Sequence, residues 1–211
     1  MDAVGLDRLF ELLTEYQRPE AFNQYSEVHP ALDRPGGAAV RRRNLRRYLE
    51  TFADARYVLV GEAAGYAGCR FSGIPFTCEA QLVGPRRLDW TLDLEEDLAR
   101  SSRAESPWVE RSATMVWQAL EGRADCVLWN AFPWHPAGEA GPLSNRPPGR
   151  DLRDGLKVLR CFCSLFPSAR TYAVGRVAQR ALEAIGAPAP YIRHPSHGGK
   201  RRFMQGIAAL R

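Results

Sequence analysis

The chain has 211 residues, 45% of them hydrophobic and 25% charged, proportions that fit one globular domain over 1–211 with a sizeable core. No apolar run approaches the ~20 residues that span a bilayer. The opening stretch MDAVGLDRLFELLTEYQRP sets Asp2, Asp7 and Glu11 among its apolar positions, which argues against a signal peptide, so a cytoplasmic protein with no membrane partner is expected. The formal net charge is +5, and apart from Lys157 and Lys200 every basic side chain is arginine.

In chain order, a helix is expected over 6–16 (LDRLFELLTEY), a loop over the proline- and glycine-rich 30–39, and a helix over 41–55 (RRRNLRRYLETFADA). The second helix carries Arg41–Arg43, Arg46 and Arg47, a cluster suited to phosphate, although an arginine-rich genome gives the same composition. YVLVG at 57–61 is β-branched without alternation, as in a strand covered on both faces. A helix over 106–122 follows (SPWVERSATMVWQALEG), with Ser106 as N-cap, Pro107 as first helical residue and Glu110 as capping glutamate.

CVLWNAF at 126–132 is the second strand, 133–149 a loop and 149–166 a helix (GRDLRDGLKVLRCFCSLF). TYAVG at 171–175 is the third strand, and RVAQRALEAIG at 176–186 a helix. PYIRHPS at 190–196 is the fourth strand, and GKRRFMQGIAALR at 199–211 a closing helix. Strands alternating with helices predict an α/β fold with a parallel sheet and right-handed crossovers. The cysteines, Cys69, Cys78, Cys126, Cys161 and Cys163, are odd in number and form no C-x2-C pair; a disulfide framework, a zinc site and an iron–sulfur cluster are disfavoured. No metal and no cofactor is expected.

Ligands bind outside the carboxyl ends of strands in open parallel sheets. Here those ends read GEAAG, NAFPWHP, VG and HPSHGG, turns that one pocket would collect. The first lacks both a P-loop Lys-Ser/Thr and a GxGxxG spacing, against an ordinary nucleotide-binding protein. Over residues 55–205 the chain resembles the uracil-DNA glycosylase superfamily. The likeness rests on Gly61-Glu62-Ala63-Ala64-Gly65 after strand one, on GCRFSGIPFTCE (similar to a TGxPF-like extension of the single-strand-selective and family 5 branches), on Asn130 after strand two, and on His194-Pro195-Ser196.

The resemblance implies a three-layer α/β/α sandwich around a four-stranded parallel sheet, and a monomer that removes uracil from DNA and leaves an abasic site. The base must first leave the stack. Gly61, Ala63, Gly65, Tyr66, Phe76 and Asn130 are then expected around it, with Phe76 under its face and Asn130 reading N3–H and O4. His194 would donate to O2 of the departing anion. Ser196 and Gly198, with Lys200, Arg201 and Arg202 behind them, would hold the bent DNA strand, and Asn145 and Arg146 form a second rim. His135 reads mostly as loop structure.

The chain also departs from the pattern. Ala63 stands where the founding branch has a water-orienting aspartate and other branches an asparagine, and Ala64 replaces a proline. Glu62 and Glu79 are the nearest carboxylates, and either is a candidate to position water. Gly65 replaces a bulky tyrosine, leaving room at C5 for modified uracils, with Tyr66 placed to refill part of it. A module that binds damaged DNA without turnover, and a glycosylase for hypoxanthine or xanthine, are the alternative readings.

Overall fold

A computed structural model of the chain describes residues 2–19, 21–94, 96–121 and 123–210. Four strands, β1 (Tyr57–Ala63), β2 (Cys126–Phe132), β5 (Arg170–Val174) and β6 (Tyr191–Ile192), form a parallel sheet in the order β2-β1-β5-β6. Around it lie α1 (Ala3–Glu15), α2 (Gly37–Thr51), α5 (Arg111–Ala119), α6 (Leu152–Ser164), α7 (Arg176–Ala184) and α8 (Lys200–Ala208). Short helices α3 (Cys69–Ser72) and α4 (Glu79–Leu82) follow β1, and an antiparallel hairpin, β3 (Ala137–Gly138) and β4 (Gly141–Asn145), follows β2. This is the expected α/β architecture with four parallel strands.

Every residue of β2 is buried, as are the first five of β1, which is why these strands read as unbroken apolar runs. On β2, Trp129 stacks on Phe162 of α6 with ring centroids 4.1 Å apart and planes 7° apart. Gly155 lets α6 lie close: a Cβ there would sit 2.4 Å from the carbonyl oxygen of Ala131. On α7, Ala178, Ala181 and Leu182 form the buried face. A fully buried leucine such as Leu182 contributes about 1.5–3 kcal/mol.

Three expectations need correction. The helix anticipated from Ser106 begins only at Arg111, with Glu110 at its N-cap position. The preceding stretch docks instead against other elements: Trp108 stacks on Phe71 with centroids 5.3 Å apart, and its carbonyl accepts the N–H of Ala80 at 3.0 Å. Tertiary contact thus overrides a sound local start signal. The fourth strand stops at Ile192, and His194-Pro195-Ser196 is a turn. The 133–149 stretch, expected as loop, contains the β3–β4 hairpin. Gly122 and Arg211, the expected ends of two helices, lie outside the described residues.

The arginines of α2 have partners within the protein, and one of them is removed from the surface altogether. Arg41 is fully buried, 3.3 Å from Asp33, and donates to Ser101 Oγ at 2.9 Å and to the Glu27 carbonyl at 2.6 Å. Asp33 also pairs with buried Arg70. Arg46 pairs with Asp7, and Arg47 with Glu50 and Asp97. Arg42 and Arg43 donate to the carbonyls of Tyr25 and Asp97. These side chains bind the protein itself.

Candidate active site

The carboxyl ends of the strands open into a cleft of about 540 Å³ whose walls include Glu62, Ala63, Gly65, Phe76, Asn130 and His194. Strand register places Gly61 beside Asn130. The Phe76 ring lies over Gly61 so closely that a Cβ at 61 would come within 2.1 Å of Phe76 Cζ and 3.2 Å of Asn130 Oδ1. Any side chain at 61 would displace the Phe76 ring.

Phe76 itself has φ 52°, a left-handed conformation that costs a non-glycine residue about 1–3 kcal/mol. The turn that imposes it is over-determined. Gly73 (φ 80°) approaches the Arg41 backbone, Ser72 Oγ accepts from Ile74 N at 3.0 Å and donates to the Thr77 carbonyl at 2.6 Å, and Trp117 Nε1 donates to Thr77 Oγ1 at 3.1 Å. The Phe76 ring is 6.1 Å from that of His194, at 37°. Asn130 is buried at the cleft floor, and its side-chain amide has no hydrogen-bond partner among the described residues. A buried amide left open to a cleft is a reading head for a ligand.

The tautomer of His194 follows from its partners. Its Nδ1 faces the backbone N–H of Ser196 at 3.2 Å and the Ser196 hydroxyl at 2.7 Å. A backbone N–H only donates, so Nδ1 accepts and the ring proton resides on Nε2. Ser196 Oγ in turn lies 3.0 Å from Nδ1 of His197, giving a chain from His197 Nδ1–H through the Ser196 hydroxyl to His194. Burial, then the charges of Arg193 and His197, lower the His194 pKa to about 4. At neutral pH the imidazole is uncharged and carries an Nε2–H. Behind it, Gly199 keeps the turn tight, since a Cβ there would meet the His194 carbonyl oxygen at 1.9 Å.

The rim is built from both loops flanking the hairpin. Asn145 Oδ1 accepts the Tyr66 N–H at 2.9 Å, and Arg146 pairs with Asp151 at 2.7 Å. His135 is buried, with Nδ1 at 2.9 Å from the Ala64 carbonyl and Nε2 at 3.2 Å from that of Pro142, and burial lowers its pKa. It clasps the turn after β1 to the hairpin. An outer groove continues from the cleft, with Tyr66, Asn145, Ser196, His197, Gly198 and Lys200 among its walls. Lys200 Nζ also reaches Gln118 Oε1 at 3.2 Å. Arg201 and Arg202 are exposed in the first turn of α8 but line neither space.

The two candidate carboxylates part company. Glu62 lines the cleft half-buried, its pKa raised by burial and pulled back by Arg180. Glu79 is fully buried elsewhere: its Oε1 accepts the N–H groups of Ser101 and Ser102, both at 2.9 Å, while Oε2 accepts the Ser102 hydroxyl and lies 3.7 Å from Arg100. With its lone pairs committed to the 100–102 segment, Glu79 is a structural tie and not a water-positioning group.

The space beside Gly65 is not vacant either. Tyr66 turns toward Trp108, with rings edge-on at 6.0 Å, and does not refill it. Glu110 does: its Oε1 would lie 2.1 Å from a Cβ on Gly65, and its Oε2 2.2 Å from one on Gly68. Sequence reasoning gave Glu110 a helix-capping part and so missed it. The pair of glycines three apart was the one available sign that something packs on that turn.

A parallel α/β sheet whose carboxyl edge holds a slot between an aromatic ring, an open amide and an imidazole N–H defines a protein built to take a planar heterocycle. Over residues 49–210 the chain matches the family model of the uracil DNA glycosylase superfamily, and it belongs to that superfamily. It is a DNA glycosylase in the general sense, a hydrolase of base-excision repair that acts on damaged bases in DNA. No curated protein matches the chain.

Proposed function

We propose that this glycosylase is monofunctional and that its base is uracil, hydrolysed from the sugar of a flipped nucleotide to leave an abasic site. One observation carries the reading: Phe76, Asn130 and the Nε2–H of a neutral His194 converge on one slot. Phe76 supports the ring face. Asn130 accepts from N3–H and donates to O4. Cytosine presents the reverse pattern, which the amide meets only by turning over, so selectivity for uracil depends on what holds the amide once a base is bound.

When the glycosidic bond breaks, its electron pair moves into the base, and negative charge gathers on O2. A neutral imidazole with Nε2–H stabilises that charge by hydrogen bonding and does not act as a cationic acid, since burial disfavours the imidazolium. Ser196, Gly198, Lys200, Asn145 and Arg146 supply a rim for the DNA backbone, where such contacts position the substrate without reading sequence. A hydroxymethyl or other polar group at C5 would meet the Glu110 carboxyl and not open space.

The test is a labelled oligonucleotide with one uracil, treated with alkali after incubation. Free uracil with strand scission supports the reading, and a tight complex with intact bonds supports the alternative, a damage-binding module, which Ala63 favours because its methyl group orients no water. Borohydride should trap no covalent adduct, as a lyase step needs a lysine Schiff base. His194→Ala should lower the single-turnover rate by about 10²–10³, the usual loss for one oxyanion donor. An unchanged rate would remove His194 from the mechanism.

A further inference from the structure

The inner cleft and the outer groove share a short stretch of wall, formed by Glu110, Ser112, Asn145, Ser196 and His197. On the reading above, the base occupies the inner slot beside Phe76 and Asn130, while the phosphates lie in the outer groove beside Gly198 and Lys200. The sugar, with its C1′ atom, must then pass along the shared wall. Among the described residues, Glu110 is the only carboxylate that lines both spaces; Glu62 lines the inner one alone.

We propose that Glu110 is the catalytic carboxyl of this chain, holding the attacking water against C1′ of the flipped nucleotide where Ala63 has no group to do so. The inference rests on the glycosylase reading. In the step, the water oxygen bonds to C1′ as the C1′–N1 bond breaks. The bonding pair leaves with the base, stabilised at O2 by His194, and the water's proton passes to Glu110.

Glu110 is placed for this by backbone, not by a cation. Gly65 and Gly68 admit its two oxygens where any Cβ would collide. The Ser112 hydroxyl is its hydrogen-bond partner, and no cationic side chain forms a salt bridge with it among the described residues. Burial raises its pKa to about 7, against a smaller downward pull from Ser112. A carboxylate of that basicity is a far better proton acceptor near neutrality than an exposed one. Around it stand Glu62 on β1, Cys69 and Cys78 on the segment after it, Arg111 on its own helix, Arg146 on the hairpin rim, and His194, His197 and Lys200 beyond the last strand.

The experiment compares wild type, Glu110→Gln and Glu110→Ala with Glu62→Gln, reading single-turnover excision across pH 5–9 and affinity for a non-cleavable abasic-site duplex. Glu110→Gln is expected to lower the rate by about 10²–10⁴, the span of general-base contributions, with affinity kept within about threefold. Wild-type rate should rise with pH through about 7, as the deprotonated form accumulates, and this limb should vanish in Glu110→Gln and persist in Glu62→Gln. Added formate should restore part of the rate of Glu110→Ala, which a merely structural glutamate would not allow. Wild type that excises uracil while Glu110→Gln stays within threefold of it overturns the inference alone. Wild type that excises no base overturns the glycosylase reading, and this inference with it.

Discussion

His194 shows how a single residue is set by its neighbours. A histidine in water has a pKa near neutrality and is partly charged at pH 6. Here the Ser196 N–H points at Nδ1 and burial disfavours the cation, so both effects oppose protonation. The expected outcome in an NMR titration is an imidazole that stays neutral from pH 8 down to 5 and titrates around pH 4. A midpoint near the ordinary value would mean the turn is looser than described. The sign for stability follows: the unfolded chain takes up this proton first as pH falls, so His194 contributes a loss of stability on acidification between about 6.5 and about 4.

At the scale of elements, the sheet and α6 are joined at Gly155, where the helix passes closest to β2. The obstruction to a side chain there is the Ala131 carbonyl oxygen at 2.4 Å, a backbone atom of a fully buried strand that cannot move aside cheaply. Gly155→Ala should therefore destabilise the protein by about 1–3 kcal/mol, as overpacked cores do, despite the better helix propensity of alanine. Urea denaturation would show the midpoint falling at constant slope. The β2 end also carries Asn130, so such a shift should be accompanied by weaker excision. A variant as stable as wild type would contradict the close approach.

For the whole molecule, the excess of arginine divides into inward and outward parts. Arg41 is buried with Asp33; Asp33 keeps Arg70 as a partner, but without Arg41 the carbonyls of Gln24 and Glu27 lose a buried donor, at about 1–3 kcal/mol each. Arg41→Ala should therefore lower stability yet leave the salt dependence of DNA binding unchanged. Lys200→Ala, on the groove wall, should do the opposite, weakening binding across sequences and reducing the slope of log K against log salt by about 1. Equal slopes in wild type and Lys200→Ala would take the outer groove out of DNA contact.

The alternation of apolar strands with amphipathic helices determined the parallel sheet, because burial on both faces leaves an unmistakable mark in composition. Strand ends rich in glycine, proline, asparagine and histidine marked where the cleft would lie. Phe76, Asn130 and His194 were legible for that reason: Phe76 and His194 stand in turns beyond strands, and Asn130 in the last residues of β2. Tertiary structure alone decided the rest. It withdrew Glu79 into a ring of hydrogen bonds, folded Arg41 inward, and brought Glu110 across to Gly65 and Gly68. Each of those outcomes depends on contacts between segments distant in the chain, whose energy is absent from any local window of sequence.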